Sequence, residues 1–187
     1  MKKRFIFYYL CFVFCFSAHS QRNPMWAVAV ESHFVENFYQ VDSGIYRCAQ
    51  PNKQAFAELS QMGITTVVNL RYFETDRRKA KKTDLQLIHI KMLASKCKEE
   101  EIVAVLRLME NRQGAIAIHC KHGADRTGLI IALYRIVFQD WDKESAIAEL
   151  QNGDYNFHPI FSNIPQYIRD LDVDNLKEKL KNNFEKK

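Results

Sequence analysis

Ala115-Ile116-Ala117-Ile118-His119-Cys120-Lys121-His122-Gly123-Ala124-Asp125-Arg126-Thr127-Gly128 decides how this chain folds, together with the apolar stretch Leu129 to Phe138 that follows it. The run 115–118 predicts a buried strand. Residues 127–138 are apolar almost all round, which predicts a helix set in the core. Between them stands a tight loop, 119–126. A loop that opens a helix turns its backbone N–H groups inward and makes an anion site. Cys120 in that field loses its proton readily. Arg126 offers a planar fork that fits two phosphate oxygens. A thiolate in a phosphate cradle implies phosphoryl transfer through a cysteinyl-phosphate.

Outward from this stretch, strands alternate with helices. Ile45 to Ala49 reads as a first strand, closed by Gln50-Pro51. Asn52 can cap a helix from Lys53 to Met62, which Gly63 ends. Thr65 to Leu70 is β-branched and apolar, hence a central strand. A short charged helix over Asp76–Lys82 and a strand over Leu85–Ile90 come next. Glu99 to Asn111 is amphipathic, with Ile102, Val105, Leu106 and Met109 at helical spacing. Asp142 caps a helix that turns Ala146, Ile147 and Leu150 inward and stops at Gly153. Ile164 to Leu171 begins a last helix. The lead-in from Asn23 to Val41 receives no assignment, and the charged stretch from about 174 to Lys187 is expected to fray or extend into solvent. The pattern implies an α/β sandwich around a mainly parallel sheet, with ligands bound beyond the carboxyl ends of the strands, where loop 119–126 lies.

The N-terminus reads as a secretory signal peptide over residues 1–20. Met1-Lys2-Lys3-Arg4 is basic, Phe5 to Phe16 is an unbroken apolar run of twelve, and Ser17-Ala18-His19-Ser20 places small residues before a cut at Gln21. That run is short for a bilayer span, so the membrane would be touched only through an uncleaved signal segment. Residues 21–187 are long enough for a single domain, and the expected location is periplasmic or secreted. The full chain carries 27 Lys and Arg against 22 Asp and Glu, net +5. Cleavage removes Lys2, Lys3 and Arg4 and no acid, so most of the basicity goes with the signal and no nucleic-acid partner is suggested. Of five cysteines, Cys48, Cys97 and Cys120 remain, an odd number unlike a disulfide framework. Cys48 and Cys97 read as small buried apolar residues, with a protective disulfide as the alternative.

Cysteine and arginine at this spacing would be a weak signal alone; the full string in its strand–loop–helix setting is a strong one. Two alternatives stand beside it. Cys120 can be a structural buried cysteine with Arg126 on a solvated helix start. Or His119, Cys120 and His122 can hold a metal, although adjacent residues rarely point at one ion and no paired cysteines stand nearby. No metal and no cofactor is therefore expected.

The string resembles the signature loop of the cysteine-dependent protein tyrosine and dual-specificity phosphatases. Gly44-Ile45-Tyr46-Arg47-Cys48-Ala49-Gln50-Pro51, Gly63 to Arg71, and His158-Pro159 followed by Asn163-Ile164-Pro165 resemble their bacterial periplasmic tyrosine phosphatase branch. The likeness runs from about Phe38 to Leu171. It implies the compact phosphatase fold, a central four- or five-stranded sheet flanked by helices. It also implies Cys120 as nucleophile and Arg126 as the phosphoryl-binding and charge-stabilising residue. Thr127 would donate its hydroxyl to the sulfur, and His119 would hold the loop. Lys121, His122, Gly123, Ala124, Asp125 and Arg126 would line the phosphate site, Gly123 by allowing the turn and Gly128 by allowing close helix–loop packing.

The family usually places an acid for leaving-group protonation on the loop before the amphipathic helix. Here that loop reads Met92-Leu93-Ala94-Ser95-Lys96-Cys97-Lys98, and a lysine stands near the expected place. Asp125 is the preferred substitute, since Asp125-Arg126-Thr127 also resembles the phosphoinositide phosphatases. Glu99 or Glu100 is the alternative, against their ordinary role at a helix start. Arg71 and Asp76 either support the rim or pair on the surface. The leading expectation is a metal-independent phosphomonoester hydrolase acting on a phosphorylated protein or peptide. A phosphoinositide or inositol phosphate substrate is the second reading, and a phosphate-binding module that has lost turnover is the third.

Overall fold

A computed structural model describes residues 22–73 and 76–182. The expected signal segment 1–20 and the last five residues of the charged tail lie outside the described residues. In chain order the elements are β1 (Val28–Ala29), β2 (Tyr39–Asp42), β3 (Ile45–Cys48), α1 (Lys53–Gln61), β4 (Ile64–Asn69), α2 (Asp76–Lys79), β5 (Gln86–His89), α3 (Glu99–Glu110), β6 (Ala115–His119), α4 (Asp125–Phe138), α5 (Lys143–Asn152), a 3₁₀ turn (Pro159–Phe161), α6 (Asn163–Asp170) and α7 (Val173–Lys181).

The architecture is the expected α/β one: a sheet in the order β1-β2-β3-β6-β4-β5. Strands β3, β6, β4 and β5 run parallel, while β1 and β2 add an antiparallel edge. Six strands replace the expected four or five. The additional ones come from the unassigned lead-in: β1 has two residues, both exposed, and β2 buries only Val41, so neither carries a readable alternation. Along β6, Ile116 and Ile118 join the core beneath α3, α4 and α5, while Ala117 joins a second core under α1. This two-sided burial is why residues 115–118 read as continuously apolar.

Two boundaries bear on the site. Helix α4 starts at Asp125, two residues before the expected 127, so Asp125 and Arg126 occupy its first turn. The tail does not fray at 174. Asp172 caps α7 by accepting from Asn175 N at 3.0 Å, and Leu176 and Leu180 are buried. One apolar pair at i, i+4 is enough to seat a short helix, and the surrounding charges hide it.

Candidate active site

The loop between β6 and α4 is held from both neighbouring strands. Leu70 N, just beyond β4, donates to His119 O at 2.8 Å, and Gln50 N, just beyond β3, donates to Lys121 O at 3.1 Å. Gly123 has φ 71°. A Cβ there would stand 2.5 Å from Cys48 O, so the turn passes against the end of β3 where only glycine fits. Behind the loop, the buried Arg47 donates from Nη2 to Gly123 O at 2.7 Å. Gly128 packs differently from expectation: its missing Cβ makes room for Leu150 of α5, not for the loop.

Cys120 is 1% exposed, at the junction of β6 and α4. The loop and the first turn of a fourteen-residue helix thus surround the sulfur's position. Arg126 is half-buried and reaches Leu70 O from Nη1 at 3.3 Å. The Thr127 hydroxyl is buried without a hydrogen-bond partner among the described residues. Gly123 and Ala124 are buried, and Lys121 and His122 stand exposed at the mouth. There they line a groove with His158, Asn37, Tyr39 and the acids Glu36 and Asp154. Burial, then the positive charges of His158 and Lys121, hold His122 below its usual pKa.

His119 is fully buried, with both ring nitrogens facing acceptors: Nδ1 toward Cys120 O at 3.0 Å and Nε2 toward Asp76 Oδ2 at 2.9 Å. Burial alone would raise the Asp76 carboxyl; the His119 hydrogen bond and charge outweigh it and hold the pKa below the usual carboxylate value. Asp76 therefore supports the loop from within and is not a surface ion pair. Arg71 bonds the Gln50 side chain at the rim.

The acid candidates separate clearly. Residues 93–96 form a tight turn tied to α6 by Asn163 Nδ2 donating to Ala94 O at 2.9 Å, and Lys96 is exposed. Glu99 pairs with Lys179 of α7 at 2.6 Å, and Glu100 lines a groove with Lys179 and Arg107, so both face α7. Asp125 is 4% exposed. It accepts from His158 N at 3.0 Å, and His158 Nδ1 lies 3.0 Å from each of its oxygens. The His158 ring sits 5.0 Å from that of His122.

His119, Cys120 and His122 do not converge as a metal set, because His119 is committed to Asp76 and to Cys120 O. Among the described residues His122, Asp125 and His158 do bring ligand atoms within 4.8 Å of one another, but Asp125 and His158 already satisfy each other. Cys48, Cys97 and Cys120 are free thiols. Cys48 belongs to the core under α1 and Cys97 packs against the opposite one, so the sheet separates them. Burial, aided by the charges of Cys120 and Asp76, pushes the Cys48 thiol well above its usual pKa.

Sequence reading passed over two of these residues as chemistry. Arg47 and His158 both stood in segments of the resemblance without a role. A charged residue inside an otherwise apolar strand was the available signal for Arg47.

The profile described as the tyrosine phosphatase family matches residues 34–187. The chain is 35% identical over 158 residues to the dual specificity protein phosphatase TpbA of Pseudomonas aeruginosa, covering 83% of this chain and 71% of that protein. A crystal structure of TpbA in complex with phosphotyrosine superposes with a TM-score of 0.78 at 34% identity, covering 86% and 99% of the two chains. Inositol diphosphatase DSP4 of Arabidopsis thaliana is 29% identical over 126 residues, 62% of each chain.

Proposed function

The chain belongs to the tyrosine phosphatase family, and from that membership we propose that it hydrolyses phosphotyrosine, and phosphoserine or phosphothreonine, on protein or peptide substrates. Cys120 Sγ attacks phosphorus and the bond to the ester oxygen breaks. Arg126 and the loop amides hold the three equatorial oxygens, where charge accumulates. The leaving oxygen takes a proton, and water then cleaves the cysteinyl-phosphate to free phosphate and thiolate. We assign the proton to the Asp125–His158 pair, because both Asp125 oxygens lie 3.0 Å from His158 Nδ1 and His158 carries that pair to the groove. Thr127, whose buried hydroxyl lacks a partner among the described residues, serves the departing sulfur.

The observation that carries this reading is Cys120 held between a glycine-forced loop and the start of α4, with Arg126 in the first turn of that helix. The test is hydrolysis of p-nitrophenyl phosphate in chelator. Activity persisting in Cys120→Ser refutes the reading.

A second substrate class has one observation in its favour: Lys121, His122 and His158 cluster on one groove beside the loop, as a polyphosphorylated inositol would require. A panel of phosphotyrosine peptides and inositol phosphates decides, and a peptide preference above about tenfold, or 1.4 kcal/mol of differential transition-state binding, removes it. The proposed location is periplasmic or secreted, supported by the basic start and apolar run of residues 1–16. A mature N-terminus at Gln21 in the extracytoplasmic fraction is the expected outcome.

A further inference from the structure

We propose that His122, Asp125 and His158 form a binding site for zinc or another late first-row dication, and that the bound ion switches turnover off by displacing the proton held between Asp125 and His158. Binding of the ion stands on the geometry alone; its effect on turnover rests on the phosphatase reading and deepens it.

Each of the three residues offers one ligand atom, and these atoms lie within 4.8 Å of one another. Two imidazole nitrogens and a carboxylate oxygen suit zinc, nickel or copper, whereas magnesium and calcium call for oxygen ligands. Zinc stands about 2.0–2.1 Å from such atoms in a tetrahedron, which sets them about 3.3 Å apart. His158 Nδ1 lies 3.0 Å from each Asp125 oxygen, so that pair is already near the required spacing. The His122 nitrogen has at most about 1.5 Å to close.

The backbone beneath the three side chains is fixed. Asp125 is 4% exposed in the first turn of α4, and His158 N holds its Oδ1 at 3.0 Å, the kind of outer bond that orients a metal-bound carboxylate. His158 caps the 3₁₀ turn and precedes Pro159. The His122 carbonyl accepts from Asn37 Nδ2 at 2.7 Å. The exposed His122 ring stands 5.0 Å from that of His158, centroid to centroid, and reaches the pair by rotating about two side-chain bonds. Three protein ligands leave a fourth position open to the groove, as in zinc sites that also take water.

The surrounding charges are mixed. Lys121 and Arg126, next to His122 and Asp125 in the chain, oppose a cation. Glu36 and Asp154 line the same groove and favour one, Asp154 in part, since it also pairs with Arg22 at 3.7 Å. Without the ion, Asp125 and His158 satisfy each other through a shared proton. With it, the nitrogen lone pair and a carboxylate oxygen go to the metal. The proton moves to Nε2 of a neutral ring, or to water from a charged one. No electron is transferred, and the pair no longer offers a carboxylate-backed proton to the leaving oxygen.

The rival zinc ligand is the Cys120 thiolate, so binding is measured on the full chain carrying Cys120→Ser. Calorimetric titration with zinc is expected to show one ion per chain. His122→Ala and His158→Ala, each added to that background, are expected to weaken it about tenfold or more, the scale that even outer-shell losses reach. Cobalt in place of zinc is expected to give visible d–d bands without the near-ultraviolet band of a cobalt–thiolate bond. Zinc bound as tightly in both histidine variants, no zinc bound, or a cobalt–thiolate band overturns the site. His122 is exposed, so its variant is expected to fold. With Cys120 intact, zinc is expected to stop p-nitrophenyl phosphate hydrolysis at the concentration that fills the site, and chelator to restore it. Inhibition equally potent in His122→Ala, or none in the wild type, overturns the switch. Metal binding needs no turnover, so hydrolysis surviving in Cys120→Ser would sink the phosphatase reading separately.

Discussion

Replacing Gly123 by alanine isolates the contact that shapes the bowl. The added Cβ would stand 2.5 Å from Cys48 O, 2.6 Å from Cys48 C and 2.8 Å from Ala49 N. All three are backbone atoms at the end of β3, which is fixed by its pairing with β6 at Cys48 and His119. None can swing aside as a side chain would, so the loop must lift. Lifting breaks the Arg47 bond to Gly123 O and strains the Gln50 bond to Lys121 O. The φ of 71° costs a residue with a Cβ about 1 kcal/mol. Overpacking adds about 1–3 kcal/mol, for a total of about 2–4 kcal/mol. Gly63→Ala is the matched control: its φ is 82°, yet nothing lies within 4 Å of its Cβ position, so only the conformational cost of about 1 kcal/mol applies. Urea unfolding of the two variants should therefore differ by the collision alone. Turnover of p-nitrophenyl phosphate should fall about 100-fold in Gly123→Ala, because phosphoryl-transfer geometry tolerates little displacement, and hold near wild type in Gly63→Ala. A Gly123→Ala protein no less stable than Gly63→Ala and turning over normally would refute the reasoning.

Asp125→Asn should slow alkyl phosphates more than aryl phosphates, since a phenolate leaves without a proton; equal slowing in steady-state rates would remove Asp125 and His158 from the proton's path. Asp76→Asn should cost about 3 kcal/mol at pH 7 by breaking a buried pair. Because the Asp76 carboxyl is held below its usual value, the part of that cost carried by its charge is complete above about pH 4 and disappears as pH falls below it. The gap between wild-type and variant unfolding curves should then narrow in acid, and a difference constant to pH 2 would exclude the pair. Burial and the Asp42 carboxylate push the Tyr134 phenol up to about 12. Its contribution relative to Tyr134→Phe should be flat below about pH 10 and shrink as pH approaches 12, which ultraviolet titration alongside unfolding can follow.

The strand, loop and helix around Cys120 were legible because their apolar flanks are long and buried on both sides. Burial of that kind leaves a continuous run in β6 and an all-round one in α4. Helices α1, α3 and α5 were legible from their caps and inward stripes, and Asn52 and Asp142 do cap α1 and α5. Strands β1 and β2 were not, since two exposed residues and one buried valine give no period to read. Helix α7 was hidden by its own charges.

What could not be read has a common physical cause. Apolar periodicity tells which face of an element is covered; it carries nothing about which charged group meets which. His119 finds Asp76 across 43 residues, Asp125 finds His158 across 33, and Arg47 finds Gly123 across 76. Each partner comes from a different element, and only the strand order β3-β6-β4 brings those elements to one end of the sheet. That order is itself set by apolar burial, so the legible part of the chain dictates where the illegible part converges. A charged residue such as Arg47, standing in a strand beside the apolar, fully buried Ile45 and Cys48, must meet polar partners, and it finds Gly123 O and the face of the Tyr155 ring.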